Sequence, residues 1–284
     1  MWAVERPVID TGKTFDDCTS LIRNPRLRGR MTGIRQDILD MSAEYDVRAG
    51  SGEMHLIPRH QAGVGAISCK DLKKNYTLRM ARKGVPARAV YDALKTLPRN
   101  NRCPFCSYGP VETLDHVLPK DIYPGFAVAP TNLVGSCDRC NRLKGEAAPT
   151  GPDDGFLHPY FDRVNHVVWL LAEVVASTPA AATFHVVNPP TLDANLVSRI
   201  RTQFNGLELA RLYSDAAADE IVDIEGALEE IFQTGGADAV AAHLAWQCRS
   251  RQQANLNSWR AALYGALAQS DWYCNGGFRT YVDV

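Results

Sequence analysis

The sequence predicts an α+β protein, in which a small strand–loop–strand–helix module sits between two mainly helical regions. Three observations predict it. Two Cys-x-x-Cys pairs, Cys103/Cys106 and Cys137/Cys140, enclose two short strand-like runs. Apolar residues at helical spacing recur on both sides of that segment. The charge also divides there: residues 1–102 hold 19 Lys/Arg against 11 Asp/Glu, and residues 103–284 hold 12 against 21. The expected organisation is a basic, mainly helical region over 1–98, the module over 99–162, and a helical region with short β segments over 163–284.

The first region opens with residues 1–34, which read as irregular and carry Arg23, Arg26, Arg28 and Arg30, with Arg35 just beyond. An exposed basic arm of this kind tracks phosphates, or is simply a solvated charged face. Residues 36–47 predict a helix, with Ile38, Leu39, Met41 and Tyr45 apolar. Residues 50–65 are Gly-rich and read as a loop, whose His55 and His60 are read as solvent-facing rather than as ligands. A second helix is expected over 70–83, where Lys73 and Lys74 accompany Tyr76. Cations interleaved with an aromatic suit a nucleic-acid backbone, and a solvated face is the competing reading. Pro86 opens a third helix at a favoured first-turn position, and Pro98 ends it.

In the module, residues 111–117 predict a strand ending at Asp115-His116. Pro and Gly punctuate a loop over 124–130. A second strand is expected over 132–136, then a helix from 138 to Gly145 with the second cysteine pair in its first turn. Beyond lies a compact aromatic segment, 156–162, which contains His158. Residues 167–175 and 183–187 read as β segments. The pattern is helical from 192, with an acidic helix over 216–232 and another over 238–268. Trp246, Trp259 and Trp272 read as core or interface residues.

Composition narrows the function classes. A chain of 284 residues can bury a full core without relying on a metal for all its stability. The net charge is −1, but a basic half beside a metal-type site points to an anionic partner, most simply nucleic acid. Attraction between the two halves is the alternative. Of eight cysteines, Cys18, Cys69, Cys248 and Cys274 are scattered. That pattern suits a reducing compartment better than a disulfide framework. The start, Met-Trp-Ala-Val-Glu-Arg-Pro, lacks the apolar core of a signal peptide. The most apolar run, 167–176, contains Glu173 and is too short to span a bilayer. A cytoplasmic protein without membrane contact is expected.

The chemistry follows from residue types. Four thiolates in two Cys-x-x-Cys pairs suit a tetrahedral structural Zn²⁺. Such a site is closed, so the Asp-His pair between the cysteines needs its own explanation. A neutral histidine can deprotonate water near pH 7. A divalent cation can neutralise charge on a phosphoryl group and its leaving oxygen. Asp115 and Asn141 offer the hard oxygen ligands that Mg²⁺ or Mn²⁺ prefers. Neighbouring strand residues face opposite ways, so Asp115 and His116 serve one substrate only if the strand bends there.

This stretch resembles the HNH nuclease superfamily, in its zinc-stapled branch with four cysteines. The pattern is Cys-x-x-Cys, Asp-His-x-x-Pro, Asn-Leu, Cys-x-x-Cys-Asn-x-x-Lys, covering roughly residues 100–160. The resemblance implies a ββα-metal fold. It implies that His116 is the general base, that Asp115 and Asn141 bind the catalytic Mg²⁺ or Mn²⁺, and that Asn132 braces the base-bearing loop. Cys103, Cys106, Cys137 and Cys140 would hold Zn²⁺. Lys120, Lys144 and Arg142 become phosphate-contact candidates beside Lys73 and Lys74, and His158 is a further candidate at the site. The third motif letter is Asn141 rather than His, a common variant. The His-Pro-Tyr-Phe-Asp segment and helical tail resemble long stand-alone bacterial HNH proteins, some of which partner ATPases in anti-phage defence. The expectation is a DNA endonuclease, working as a defence or restriction effector with such a partner. The alternatives are a nucleic-acid-binding or assembly module with an inert nuclease fold, and an RNase. One chain carries one such site, so a two-strand cut calls for a homo-oligomer or two successive events.

Overall fold

The computed structural model describes residues 3–279, in two compact units that divide between Arg163 and Val164. The first unit opens with two helices, α1 (Thr11–Ser20) and α2 (Pro25–Gly33), where the sequence pattern suggested irregular chain. Local capping accounts for both. The Asp10 carboxylate accepts the Lys13 N–H at 2.6 Å. The Asn24 side chain accepts from Arg26 and Leu27 at 3.0 and 3.1 Å, and Pro25 pre-sets the first turn. Each helix is short and buries few apolar side chains, chiefly Phe15, Cys18 and Met31, so neither produces a long periodic signal.

Helix α3 (Arg35–Gly50) follows directly. A two-residue hairpin, β1 (Gly63–Val64) and β2 (Ile67–Ser68), leads into α4 (Cys69–Arg79), and α5 (Arg88–Thr96) comes next. Then β3 (Thr113–His116) pairs antiparallel with β4 (Leu133–Ser136), placing Asp115 opposite Val134 and His116 opposite Leu133. Helix α6 (Asp138–Lys144) starts on Cys137 as its N-cap and packs on β3.

Residues 3–98 and the β3–β4–α6 module share one hydrophobic core. Phe15, Ile38, Leu72, Tyr76 and Leu94 from the helices pack together with Leu114 of β3 and Leu133 of β4. Two long side chains tie helices to the outer edge of the strands. The Tyr76 hydroxyl donates to the Leu114 carbonyl at 3.1 Å, and the Lys95 ammonium to the Glu112 carbonyl at 2.6 Å. A two-stranded sheet is marginal alone; here the helices supply its apolar cover.

In the second unit, β5 (Leu170–Val175) and β6 (Ala181–Val186) form an antiparallel hairpin, with Leu170 opposite Val186. Helices α7 (Ala194–Gly206), α8 (Leu209–Ala254) and α9 (Trp259–Gln269) follow, and α8 and α9 pack on the hairpin. The long α8 is broken at Gly236, whose φ of 66° no ordinary helical residue adopts. This is the gap between the helices expected over 216–232 and 238–268. Asn257 fastens the hairpin by accepting the Trp169 and Leu170 N–H groups at 2.8 and 3.2 Å. Trp259 is buried, while Trp246 and Trp272 are exposed. Among the described residues, no helix is long and apolar enough to cross a membrane.

Candidate functional site

The four paired cysteines come together. The sulfurs of Cys103, Cys106, Cys137 and Cys140 all lie within 4.8 Å of one another, and all four residues are buried. Four bonds of about 2.3 Å at tetrahedral angles put sulfurs about 3.8 Å apart. The Cys106 and Cys137 sulfurs are 3.8 Å apart, nearly twice a disulfide length. Backbone N–H groups point at the sulfurs, Gly109 to Cys106 and Cys140 to Cys137, each at 3.4 Å. Such donors stabilise thiolate, the form a metal takes. A Cβ at Gly109 would stand 2.9 Å from the Cys137 Cβ, so only glycine lets the first turn lie against the second. The donor set and its spacing fit a structural zinc.

Beside this cluster, a cleft of about 290 Å³ is lined by Asp115, His116, Lys120 and Asn141 together with Tyr76 and Asp121. Asp115 and His116 share it despite strand alternation, because β3 ends at His116 and the chain turns there. Asn132 makes that turn. It is fully buried; its side-chain oxygen accepts the Leu118 N–H at 2.7 Å, and its amide donates to the Leu118 and Phe126 carbonyls at 3.0 and 3.3 Å. The segment after His116 is thereby stitched to the start of β4.

His116 lies 3.0 Å through Nε2 from the Ala127 carbonyl. A carbonyl only accepts, so Nε2 carries the proton and Nδ1 keeps the lone pair. Burial, helped by the nearby Lys120 charge, pushes the imidazole down to about 3, so the ring is neutral at ordinary pH. Tyr76 meets the ring edge-on with centroids 4.4 Å apart, which fixes its plane.

Asp115 is 4 % exposed. Its Oδ1 accepts from the Lys144 ammonium at 3.4 Å, and the same ammonium lies 3.2 Å from Oδ2. Burial pushes the carboxyl up and Lys144 pulls it part of the way back. A buried carboxylate in a cleft shared with the Asn141 amide offers oxygen donors of the kind a hard divalent cation takes. Lys144 is itself buried, and its ammonium also donates to the His116 carbonyl at 2.7 Å. It is taken up within the site rather than turned to solvent.

The other candidates stand as follows. Lys120 lines the cleft, 3.9 Å from Asp121, and Lys73 pairs with the same carboxylate. Lys74 pairs with Asp71 at 2.8 Å. Arg142 is exposed on α6. His158 does not line the cleft: it is fully buried behind it, where Nδ1 accepts the Tyr160 N–H at 3.3 Å and Nε2 lies 2.9 Å from the Tyr45 hydroxyl. The Tyr45 hydroxyl in turn donates to the Asn132 oxygen at 3.0 Å. A buried chain therefore runs from His158 through Tyr45 to Asn132. His60 is half-buried rather than solvent-facing, and its Nε2 accepts the Gly125 N–H at 2.9 Å. In the sequence Tyr45 reads as an apolar helix residue and Tyr76 as part of a basic surface. Only their hydroxyl partners, far away in the chain, reveal the positions they hold.

Comparison with known proteins agrees with this picture at a coarse level. The chain is 27% identical over 261 residues to protein ea31 of Escherichia phage lambda, covering 84% of this chain and 87% of the relative. Over a shorter stretch of 51 residues it is 43% identical to Septu protein PtuB of Bacillus thuringiensis, 16% of this chain and 20% of that protein. No family model matches, and no solved structure matches.

Proposed function

We propose that this chain is a metal-dependent endonuclease of the HNH type, hydrolysing phosphodiester bonds in DNA. The observation that carries the reading is the meeting of Asp115, His116 and Asn141 in one cleft, next to a four-cysteine cluster that fixes the helix bearing Asn141. Neutral His116, held through Nε2, takes the proton of the attacking water on Nδ1. Asp115 and Asn141 would hold Mg²⁺ or Mn²⁺, which would supply positive charge to the phosphoryl and leaving oxygens. Lys120 at the cleft and Arg142 outside it meet neighbouring phosphates, and Lys73 joins them by exchanging Asp121 for phosphate. Lys144 holds the Asp115 carboxylate in place. Asn132 keeps the turn that brings base and carboxylate to one side.

The order β3–β4–α6 with these residues on it supports reading the unit as a ββα-metal module, which a zinc on the four cysteines would staple. The finer part of the reading is a defence or restriction effector acting with a partner ATPase or another defence protein, in the cytoplasm, and pairing with a second copy to cut both strands. The local likeness to Septu protein PtuB favours it. The test is cleavage of supercoiled plasmid with Mg²⁺ or Mn²⁺, with and without EDTA, beside His116→Ala. Metal-dependent nicking or linearisation that disappears in the folded, zinc-loaded variant is the expected result. Tight binding without cleavage in any divalent metal points instead to an inert binding module. Unchanged turnover by His116→Ala overturns the assigned base.

A further inference from the structure

Several cations of the first unit are committed to carboxylates. Arg6 pairs with Asp46, Lys13 with Asp17, Arg35 with Asp16, and Arg88 with Asp92. The arginines around α2 differ. Arg23, Arg26 and Arg28 are exposed and meet no carboxylate among the described residues. Arg30 is exposed too, and makes one long hydrogen bond, 3.4 Å to the Ala66 carbonyl. An unpaired guanidinium gives up no ion pair when it meets an anion, whereas Lys73 must first release Asp121.

The same residues shape a groove. Asn24, Pro25, Arg26, Leu27, Gly29 and Arg30 line an open trough of about 630 Å³. Arg26 and Arg30 stand one helical turn apart, on the same side of α2. Gly29 lies between them, and nothing comes within 4 Å of where its Cβ would be. Two guanidiniums thus stand together beside a patch of bare backbone. Arginine forks match phosphate oxygens in pairs, and a side-chain-free patch admits a bulky strand. The helix is also anchored to the cleft's own wall. Met31 on its inner side lies 3.8 Å from the Asn75 amide of α4, and the next residue, Tyr76, meets the His116 ring.

We propose that the α2 surface, lined by Arg26 and Arg30 and flanked by Arg23, grips the phosphate backbone of duplex DNA away from the scissile bond. The proposal rests on the nuclease reading for its substrate, and its test separates the two. Full-length His116→Ala protein and the same protein carrying Arg26→Gln and Arg30→Gln bind a fluorescent 30-base-pair duplex across a salt series, with Arg211→Gln on α8 as the control. Each phosphate contact contributes about 0.9 to the slope of log affinity against log salt, so losing two should lower the slope by about 1.8. Affinity near 0.1 M salt should fall at least tenfold, with the melting curve unchanged. The control should keep the parent's slope.

An unchanged slope in the double variant, while wild-type protein still cleaves DNA, overturns the groove and leaves the nuclease standing. A lowered slope in a protein that never cleaves supports the groove and removes the nuclease. No duplex binding by the parent overturns the groove outright. A lowered slope on an RNA hairpin but not on DNA overturns the assignment to DNA.

Discussion

The hydroxyl of Tyr45 is a small group at a demanding position, and its removal can be worked through in numbers. It donates to the Asn132 oxygen at 3.0 Å and lies 2.9 Å from His158 Nε2, with the whole side chain buried. Because His158 Nδ1 accepts the Tyr160 N–H, Nε2 carries the proton and donates to Tyr45. Tyr45→Phe keeps the ring, which packs on Phe126 with centroids 5.0 Å apart. What changes is polar. The imidazole N–H loses its acceptor, and the Asn132 oxygen keeps only the Leu118 N–H at 2.7 Å. A buried polar group deprived of its partner costs about 1–3 kcal/mol. The loss falls on the turn that carries His116, so the Leu118 amide is the local reporter. Its protection against hydrogen exchange should drop roughly 5- to 150-fold, the same energy expressed as an opening constant. Chemical denaturation of the first unit should show a matching loss of about 1–3 kcal/mol. If Leu118 protection and the unfolding midpoint both stay at wild-type values, the hydroxyl is not bracing Asn132 and the chain from His158 is incidental.

Two further outcomes follow from the metal and charge arrangements. Cys137→Ser should abolish stoichiometric zinc by elemental analysis and leave the β3–β4–α6 region unfolded, since a structural zinc contributes about 10–16 kcal/mol of binding energy; a soluble variant with one zinc per chain would remove the structural role. Lys144→Met should cost about 3–5 kcal/mol, as expected for breaking a buried ion pair from one side, while Asp115→Asn with Lys144→Met should recover most of that loss. Equal stability of the single and double variants would mean that the two groups do not interact.

How far the sequence disclosed all this depends on how local each interaction is. The four clustered cysteines sit in two tight turns, so their spacing in the chain nearly determines their spacing in space. The strand ending at Asp115-His116 and the helix starting at Cys137 are likewise set by nearby residues, and the pattern predicts them closely. Helices α1 and α2 escape because their stability comes from single caps, Asp10 and Asn24, and from a few buried side chains rather than from a repeated face. The brace around His116 escapes for the opposite reason. Tyr45 and Asn132 are 87 positions apart, and Tyr76 and Leu114 are 38 apart. A tyrosine on an apolar helix face looks like any core aromatic until its hydroxyl meets a partner. Lys144 misleads in a third way. A lysine in a polar helix reads as a surface cation, yet it is buried because a buried carboxylate beside it needs a counter-charge.

Helix α6 then links the two halves of the site. Cys140 and Lys144 are one turn apart on it and face the same side, one toward the cysteine cluster and the other toward Asp115. Asn141 follows Cys140 directly and opens on the cleft. Its seven residues are far too few to be stable as an isolated helix. Its position therefore depends on what grips it: the cluster at its start, through Cys137 and Cys140, and the Asp115 ion pair at its end. A metal with no open coordination position does no chemistry itself. Here it would fix the geometry of the cleft, because the same short helix that it anchors carries both Asn141 and the counter-charge of Asp115.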